Sequence, residues 1–312
     1  HEPERSAIIV KEIMTKMRDA VEADVNCKGK GGKFLLYPPG VKAKKVKGYY
    51  TTQSRTYINW VILRAFQNPK DGTLSAVKAY KDKFKVYPYA MRGKKSKTKY
   101  FSFSDVDMDT VHASDHHFYK ELNDVIQYEP TEAINADQRG LFYSAGIVKG
   151  QDYKLSRAEK KTLDQAAYTA SVYARGLLYQ PRDKTARIYK GKQWNTAFLG
   201  GNYKWLTKDG SRNFDARSYF FYMATVNTPA MVLKLVGKGS QYALAARDKE
   251  GELFEGDELY KLHIDKDVPI KNFWSFVVYD NQTRSELQSE KYPSLNSMAK
   301  GLRKNADGSI DL

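Results

Sequence analysis

Phe118, Leu122, Val125 and Ile126 recur at i, i+4, i+7 and i+8, which places them on one face of a helix. Asp115 stands where an N-cap belongs, and Pro130 closes the run. A second helical pattern lies upstream over 6–25, where Val10, Ile13, Met14, Met17 and Val21 keep the same periodicity. A third begins at Ser156, whose pairing with Glu159 spells a capping box. Leu163, Ala166, Ala167, Ala170, Ala174 and Leu177 then share a face until Pro181, and the small alanines predict close packing against another element. Residues 111–181 therefore read as one helical unit.

Strand patterns flank that unit. Lys33–Tyr37 is a short apolar run between a glycine cluster and Pro38-Pro39. Val46–Thr52 and Thr56–Phe66 follow, the latter with Ile58, Trp60 and Ile62 alternating against Asn59, Val61 and Leu63. A short helix over Leu74–Phe84, started by Thr73, leads into a strand at Lys85–Tyr89. Beyond Pro181 the candidate strands are Ala186–Tyr189, Tyr242–Ala246, Tyr260–Ile264 and Phe273–Tyr279, with DKEG at 248–251 supplying a turn. The aromatic run Asp215–Thr225 suits a strand, but Asn213 or Asp215 can cap a helix there, and the helix is the preferred reading.

Composition narrows the picture. The 312 residues are 41% hydrophobic and 13% aromatic, with 23 tyrosines, enough for real cores. No run of 18 apolar residues is present, so no transmembrane helix is expected. The start HEPERSAIIV is neither a Met start nor a signal peptide, so removal of an upstream segment is expected. Periplasmic or extracellular placement after such processing stays open. Cys27 is the single cysteine, which excludes an intrachain disulfide and a Cys-based zinc site. The net charge of +16 attracts polyanions, and lysines cluster in KAKKVK (42–47) and KKSKTK (94–99). These read first as solvated loops. No nucleic-acid reading element is present, although the aromatic and basic stretch 85–103 keeps nonspecific single-strand binding as a minor alternative.

Candidate chemistry falls in three places. His112, His116 and His117 crowd the start of the 118–126 helix. A metal site needs three or four converging ligands, and the cap position of Asp115 interrupts the i, i+4 spacing of His112 and His116, so surface histidines at a helix entrance are the main reading and metal ligation the lesser one. RNFDAR carries Asn213, Asp215 and Arg217, and YDNQTR carries Asp280, Gln282, Thr283 and Arg284; Gln241, Tyr242 and Trp274 lie in neighbouring segments. An arginine beside an aromatic face can hold a sugar or a carboxylate-bearing ligand. Alternatively Asp215 caps a helix and Asp280 fixes a turn. As an enzyme the chain would cleave glycans with Asp215 and Asp280 as acid and base, at a separation of about 5–5.5 Å or about 6.5–9.5 Å. No Ser–His–Asp pattern, nucleophile elbow or dinucleotide fingerprint is visible, GKGG lacks the ending of a phosphate loop, and no cofactor is expected.

Several segments together, GKGGKFLLYPPG, TYINWVILRAF, LFYSAGIVKG, RNFDARSYFFYMATVNTPAM, GKGSQYALAARDKEGELFEG, DVPIKNFWSFVVYDNQTRSEL and YPSLNS…GLRKNADGSIDL, closely resemble bacterial proteins with paired domains of unknown function, numbered 1254 and 1214. The resemblance implies an α+β chain: two β-sandwich, jelly-roll-like domains with an inserted helical unit, similar to double jelly-roll capsid proteins. On this reading 1–110 is the C-terminal part of the first sandwich with an N-terminal helix, 111–185 the helical insertion and 186–312 the second sandwich, incomplete at its C-terminus. Family members extend beyond both ends of this chain. Missing strands are therefore expected from a companion chain or a second copy in a homo-oligomer, or from the rest of a longer polypeptide. The leading functional expectation is an oligomeric ligand-binding protein, with a glycan or other polyanion as ligand. A glycan-acting hydrolase or lyase and a capsid-like assembly protein are the alternatives.

Overall fold

A computed structural model of the chain describes residues 32–59, 83–95, 98–103, 111–224, 241–271 and 273–312, together with Ser75, Lys78, Lys81, Val106 and Val232. The helix expected over 6–25 and most of the segments 56–66 and 74–84 lie outside the described residues. The described chain gathers into two compact units, one taking residues up to 108 and 128–135, the other 109–127 and 136–312.

In the first unit, β1 (Phe34–Tyr37) pairs in parallel with β2 (Tyr50–Gln53), in the register Phe34 to Tyr50 through Tyr37 to Gln53. The strands are four residues each and the rings of Phe34 and Tyr50 stack at 5.3 Å. The chain leaves β2 through Ser54, which is buried and whose hydroxyl donates to Thr56 O and to Asn59 Oδ1. The buried carboxylate of Glu129 accepts the backbone N–H groups of Tyr57 and Ile58 at 2.6 and 3.0 Å. Two backbone donors thereby offset the desolvation of that charge. Residues 57–59 are irregular, and Lys85–Tyr89 forms no strand but runs into a single turn of 3-10 helix at Tyr89–Met91.

Four helices of the second unit have bounds among the described residues: α1 (His117–Tyr128, whose last residue belongs to the first unit), α2 (Ala136–Ser144), α3 (Arg157–Tyr179) and α4 (Phe214–Ala224). α1 starts where the pattern places it. α3 begins with the expected capping box: Glu159 N–H donates to Ser156 Oγ at 3.2 Å and Ser156 N–H to Glu159 Oε2 at 2.7 Å. Its buried face is narrower than the alanine stripe suggests, because Ala167, Ala174 and Leu177 are buried while Ala166 and Ala170 face solvent. α3 packs on α4, whose aromatic run is helical because Asn213 Oδ1 accepts the N–H of Ala216 at 2.9 Å. The core around α4 joins Ala186, Ala197, Leu199, Trp205, Ala216, Tyr219 and Phe220. Trp205 is held at φ 55°, a left-handed conformation that costs an L-residue about 1–2 kcal/mol. Its carbonyl accepts Asn213 N–H at 2.8 Å, so the burial of one indole sets the residue that caps α4. Burial also pushes the Tyr219 phenol up to about 12.

Strand pairing in this unit is short. β3 (His263–Ile264) pairs antiparallel with β6 (Ile310–Asp311), and β4 (Ser275–Val277) with β5 (Ser294–Asn296). The patterns at Ala186–Tyr189 and Tyr242–Ala246 yield single bridges, Arg187 to Asn195 and Asn195 to Leu244.

Candidate functional site

An open cleft of about 190 Å³ lies beside β3 and β6. Ile264 and Ile310, opposite each other across the ladder, form its floor, and Trp274 and Leu302 extend the apolar wall. Trp274 is fixed by its own backbone, whose N–H donates to Ser297 Oγ at 3.2 Å, and by Phe276, with ring centroids 5.5 Å apart. Lys266, Lys304 and Asp265, all exposed, also line it. Gly308 closes one side at φ 89°, where an added Cβ would stand 3.5 Å from Lys266 Cβ. Of the ligand-binding candidates from the sequence, Trp274 lines this cleft. Gln241 and Tyr242 are exposed and are not among its lining residues.

The two aspartate–arginine clusters are organised differently from the way their sequences suggest. Asp215 lies in the first turn of α4, and the guanidinium on it is that of Arg182 rather than of Arg217. Tyr173 of α3 donates its hydroxyl to Asp215 Oδ1 at 2.9 Å and accepts from Arg182 Nη2 at 2.6 Å. Arg217 is half-buried within α4, its backbone N–H donating to Asn213 O. Asp280 fixes a turn: Oδ1 accepts the N–H of Gln282 at 2.9 Å, the N–H of Thr283 at 2.6 Å and the Thr283 hydroxyl at 2.9 Å. The Thr283 N–H leads the donors that hold this carboxyl below the ordinary carboxylate value. A general acid needs the opposite shift. Asp215 is thus engaged through both oxygens and Asp280 through Oδ1.

The turn at Asp280 delivers Arg284, itself at φ 62°, to the end of α4, where Nη1 donates to the carbonyls of Tyr222 at 2.9 Å and Phe221 at 3.3 Å. The guanidinium also lies 5.7 Å from the Tyr222 ring, and Arg175 of α3 approaches the same ring at 5.5 Å while its Nε donates to the Tyr222 hydroxyl at 2.7 Å. His112 packs its ring on Phe221 and Tyr222 at 5.4 and 6.0 Å. Burial first, then Arg284 and Arg175, depress its pKa below the ordinary histidine value. His112 is thereby a neutral wall residue of an aromatic, cationic cluster.

His116 and His117 separate from His112 and converge with Asp115. Ligand atoms from Asp115, His116 and His117 all lie within 4.8 Å of one another. His117 N–H donates to Asp115 Oδ1 at 2.9 Å, and its Nδ1 is 3.0 Å from the same carboxylate. His116 is held from α3: Asp164 Oδ1 accepts its backbone N–H at 2.7 Å and lies 2.7 Å from its Nδ1. The two imidazoles face each other at 4.3 Å and 32°. Asp115 is held below the ordinary carboxylate value chiefly by the His117 ring, and Asp164 chiefly by the His116 backbone N–H.

Asp164, Tyr173, Arg175, Arg182 and Tyr222 were not singled out by sequence reasoning. Each belongs to a helix or the turn after it and meets its partner across tens of residues, so no local spacing marks it. For Tyr222 alone a signal exists, since it lies in the aromatic run 219–222 that the capped-helix reading would bury.

Residues 14–88 match the family described as Protein of unknown function (DUF1254), and residues 239–312 match Protein of unknown function (DUF1214). No curated protein matches the chain. Among solved structures, the chain is similar to the VPA0106 protein from Vibrio parahaemolyticus at 13% identity and a TM-score of 0.42, covering 91% of this chain and 64% of that one. The chain therefore spans less than two thirds of that protein. Among the described residues, no helix is long and apolar enough to cross a membrane.

Proposed function

We propose, from the premise that this chain belongs to the family pairing a DUF1254 with a DUF1214 domain, that it is a ligand-binding protein whose ligand presents an apolar or ring face and a negative charge. The observation that carries the reading is the cleft in the DUF1214 segment, whose lining brings together an indole, Trp274, and two lysines, Lys266 and Lys304. Its volume of about 190 Å³ suits one ring rather than an extended polymer. An acidic saccharide unit satisfies both demands: stacking of the sugar on an indole and attraction of a carboxylate to lysine. The net charge of +16 works in the same direction, raising the local concentration of anionic ligands. Assembly into an oligomer on a jelly-roll frame is part of the proposal, supported by the antiparallel pairing in β3–β6 and β4–β5, each of two strands among the described residues.

Binding is favoured over hydrolysis because Asp215 is engaged by Arg182 and Tyr173, and Asp280 by its own turn. Calorimetric titration with uronic-acid oligosaccharides and neutral counterparts tests the reading. Acidic glycans should bind, Trp274→Ala should weaken them at least tenfold, and the joint change Lys266→Gln with Lys304→Gln should remove the preference over neutral glycans. Equal binding of neutral and acidic glycans, or none of either, would refute it.

A further inference from the structure

We propose that Asp115, His116 and His117, backed by Asp164, form a binding site for a divalent transition metal of zinc's class, sharing no residue with the Trp274 cleft. The geometry is close to what such an ion requires. Ligands held at 2.0–2.2 Å by a tetrahedral zinc stand roughly 3.4 Å apart. The candidate atoms here already lie within 4.8 Å of one another, so side-chain rotations of about 1 Å bring them together. Three protein ligands leave a fourth position to water.

The hydrogen bonds behind the rings are the second argument. His116 has Nδ1 on the Asp164 carboxylate, which lies outside the ligand set, and in the neutral ring that contact fixes the proton on Nδ1 and leaves the lone pair on Nε2. Carboxylates commonly orient metal-binding histidines in this way. His117 Nδ1 stands 3.0 Å from Asp115, itself a ligand, so this pair would close on the ion through Nδ1 and the carboxylate in place of their shared proton. Helix capping accounts for Asp115 accepting the His117 N–H, but not for two imidazoles face to face at 4.3 Å with a carboxylate on each.

Charge balance is the third. The positive end of α1 disfavours a cation. Two carboxylates, Asp115 in the cluster and Asp164 on the His116 ring, stand against that field and offset the charge of a dication. Paired imidazoles select zinc, cobalt, nickel or copper over magnesium and calcium, which prefer oxygen shells.

The experiment is a titration of the chelator-stripped full chain with zinc chloride by calorimetry, and with cobalt chloride by visible absorption. One zinc per chain should bind, cobalt should develop ligand-field bands that zinc abolishes, and magnesium should compete for neither. His117→Gln, at an exposed ring that the fold does not need, should lower zinc affinity at least tenfold, and Asp164→Asn about 10-fold or more through loss of the carboxylate behind His116. His263→Gln, at a histidine outside the cluster, should change nothing. A wild-type chain that takes up no zinc, or a His117→Gln chain of unchanged melting temperature that binds zinc as the wild type does, would overturn the assignment.

Discussion

Arg182 grips Asp215 with two prongs, Nε donating to Oδ2 at 3.0 Å and Nη2 to Oδ1 and Oδ2 at 2.9 and 2.7 Å. The pair joins the segment after α3 to the first turn of α4. It is largely solvent-facing, so its contribution to stability is small. Asp215→Asn and Arg182→Gln should each lower the thermal midpoint slightly, and the double variant should lose no more than the worse single one. Additive losses in that double-mutant cycle would show that the two side chains act separately. Neither change should alter glycan affinity at the Trp274 cleft.

The start of α3 makes a firmer stability prediction. Ser156→Ala deletes the acceptor of Glu159 N–H and should destabilise the second unit by about 1 kcal/mol in urea denaturation. Ser156→Asn, which keeps a capping oxygen, should restore most of it. An alanine variant as stable as wild type would mean the capping box does not anchor the helix.

Two histidines should titrate in opposite directions. His263 is raised, chiefly by its hydrogen bond to Asp311 at 2.6 Å across β3 and β6, while His112 is lowered by burial and by Arg284 and Arg175. Between the ordinary value of roughly 6.5 and its raised folded value, His263 binds more proton in the folded state, so its contribution falls as pH rises through that window. Below 6.5 and above its lowered folded value, His112 binds less proton folded than unfolded, so its contribution falls as pH drops through that window. Asp311, held low by His263, loses its contribution only at still more acidic pH, as pH falls through its folded value. NMR titration of the ring protons checks this directly. In Asp311→Asn the His263 midpoint should drop toward the ordinary value while that of His112 stays put.

Gly308 tests the cleft wall. At φ 89° any L-residue is strained, and the nearest atom to an added methyl, Lys266 Cβ at 3.5 Å, is in ordinary contact. Gly308→Ala should therefore cost about 1–2 kcal/mol through the backbone rather than through a clash. A D-alanine introduced by semisynthesis should be tolerated. Equal destabilisation by both isomers would point to crowding instead.

Helix starts were the most legible features. Ser156–Glu159 and Asn213 act through hydrogen bonds that span three residues, and such contacts are written in adjacent letters. α2 escaped notice because Leu141 and Tyr143 face solvent, so its sequence ADQRGLFYS carries no apolar stripe. Strand lengths were also poorly legible. Tyr260–Ile264 and Phe273–Tyr279 have strand-like composition, but pairing is limited to the residues opposite which a partner lies, two in β3 and three in β4. Of the residues in the proposed sites, Trp274 was named from sequence as a ligand-binding candidate and His116 and His117 as lesser metal candidates, while Asp280 was named as an acid–base candidate with a turn-fixing role as the alternative. Asp164, which orients His116 from 48 residues away, had no local mark.

The grip of Arg284 on the last carbonyls of α4 reaches back 62 and 63 residues along the chain. At 5–20 residues per second a ribosome needs roughly 3–12 s to make that stretch. During this interval the Phe221 and Tyr222 carbonyls leave the exit tunnel without the Arg284 guanidinium, which arrives with the Asp280 turn. A ribosome-bound nascent chain stalled with residues 280–284 still inside the exit tunnel should accordingly exchange the amides of the last turn of α4 faster than one stalled after those residues have emerged.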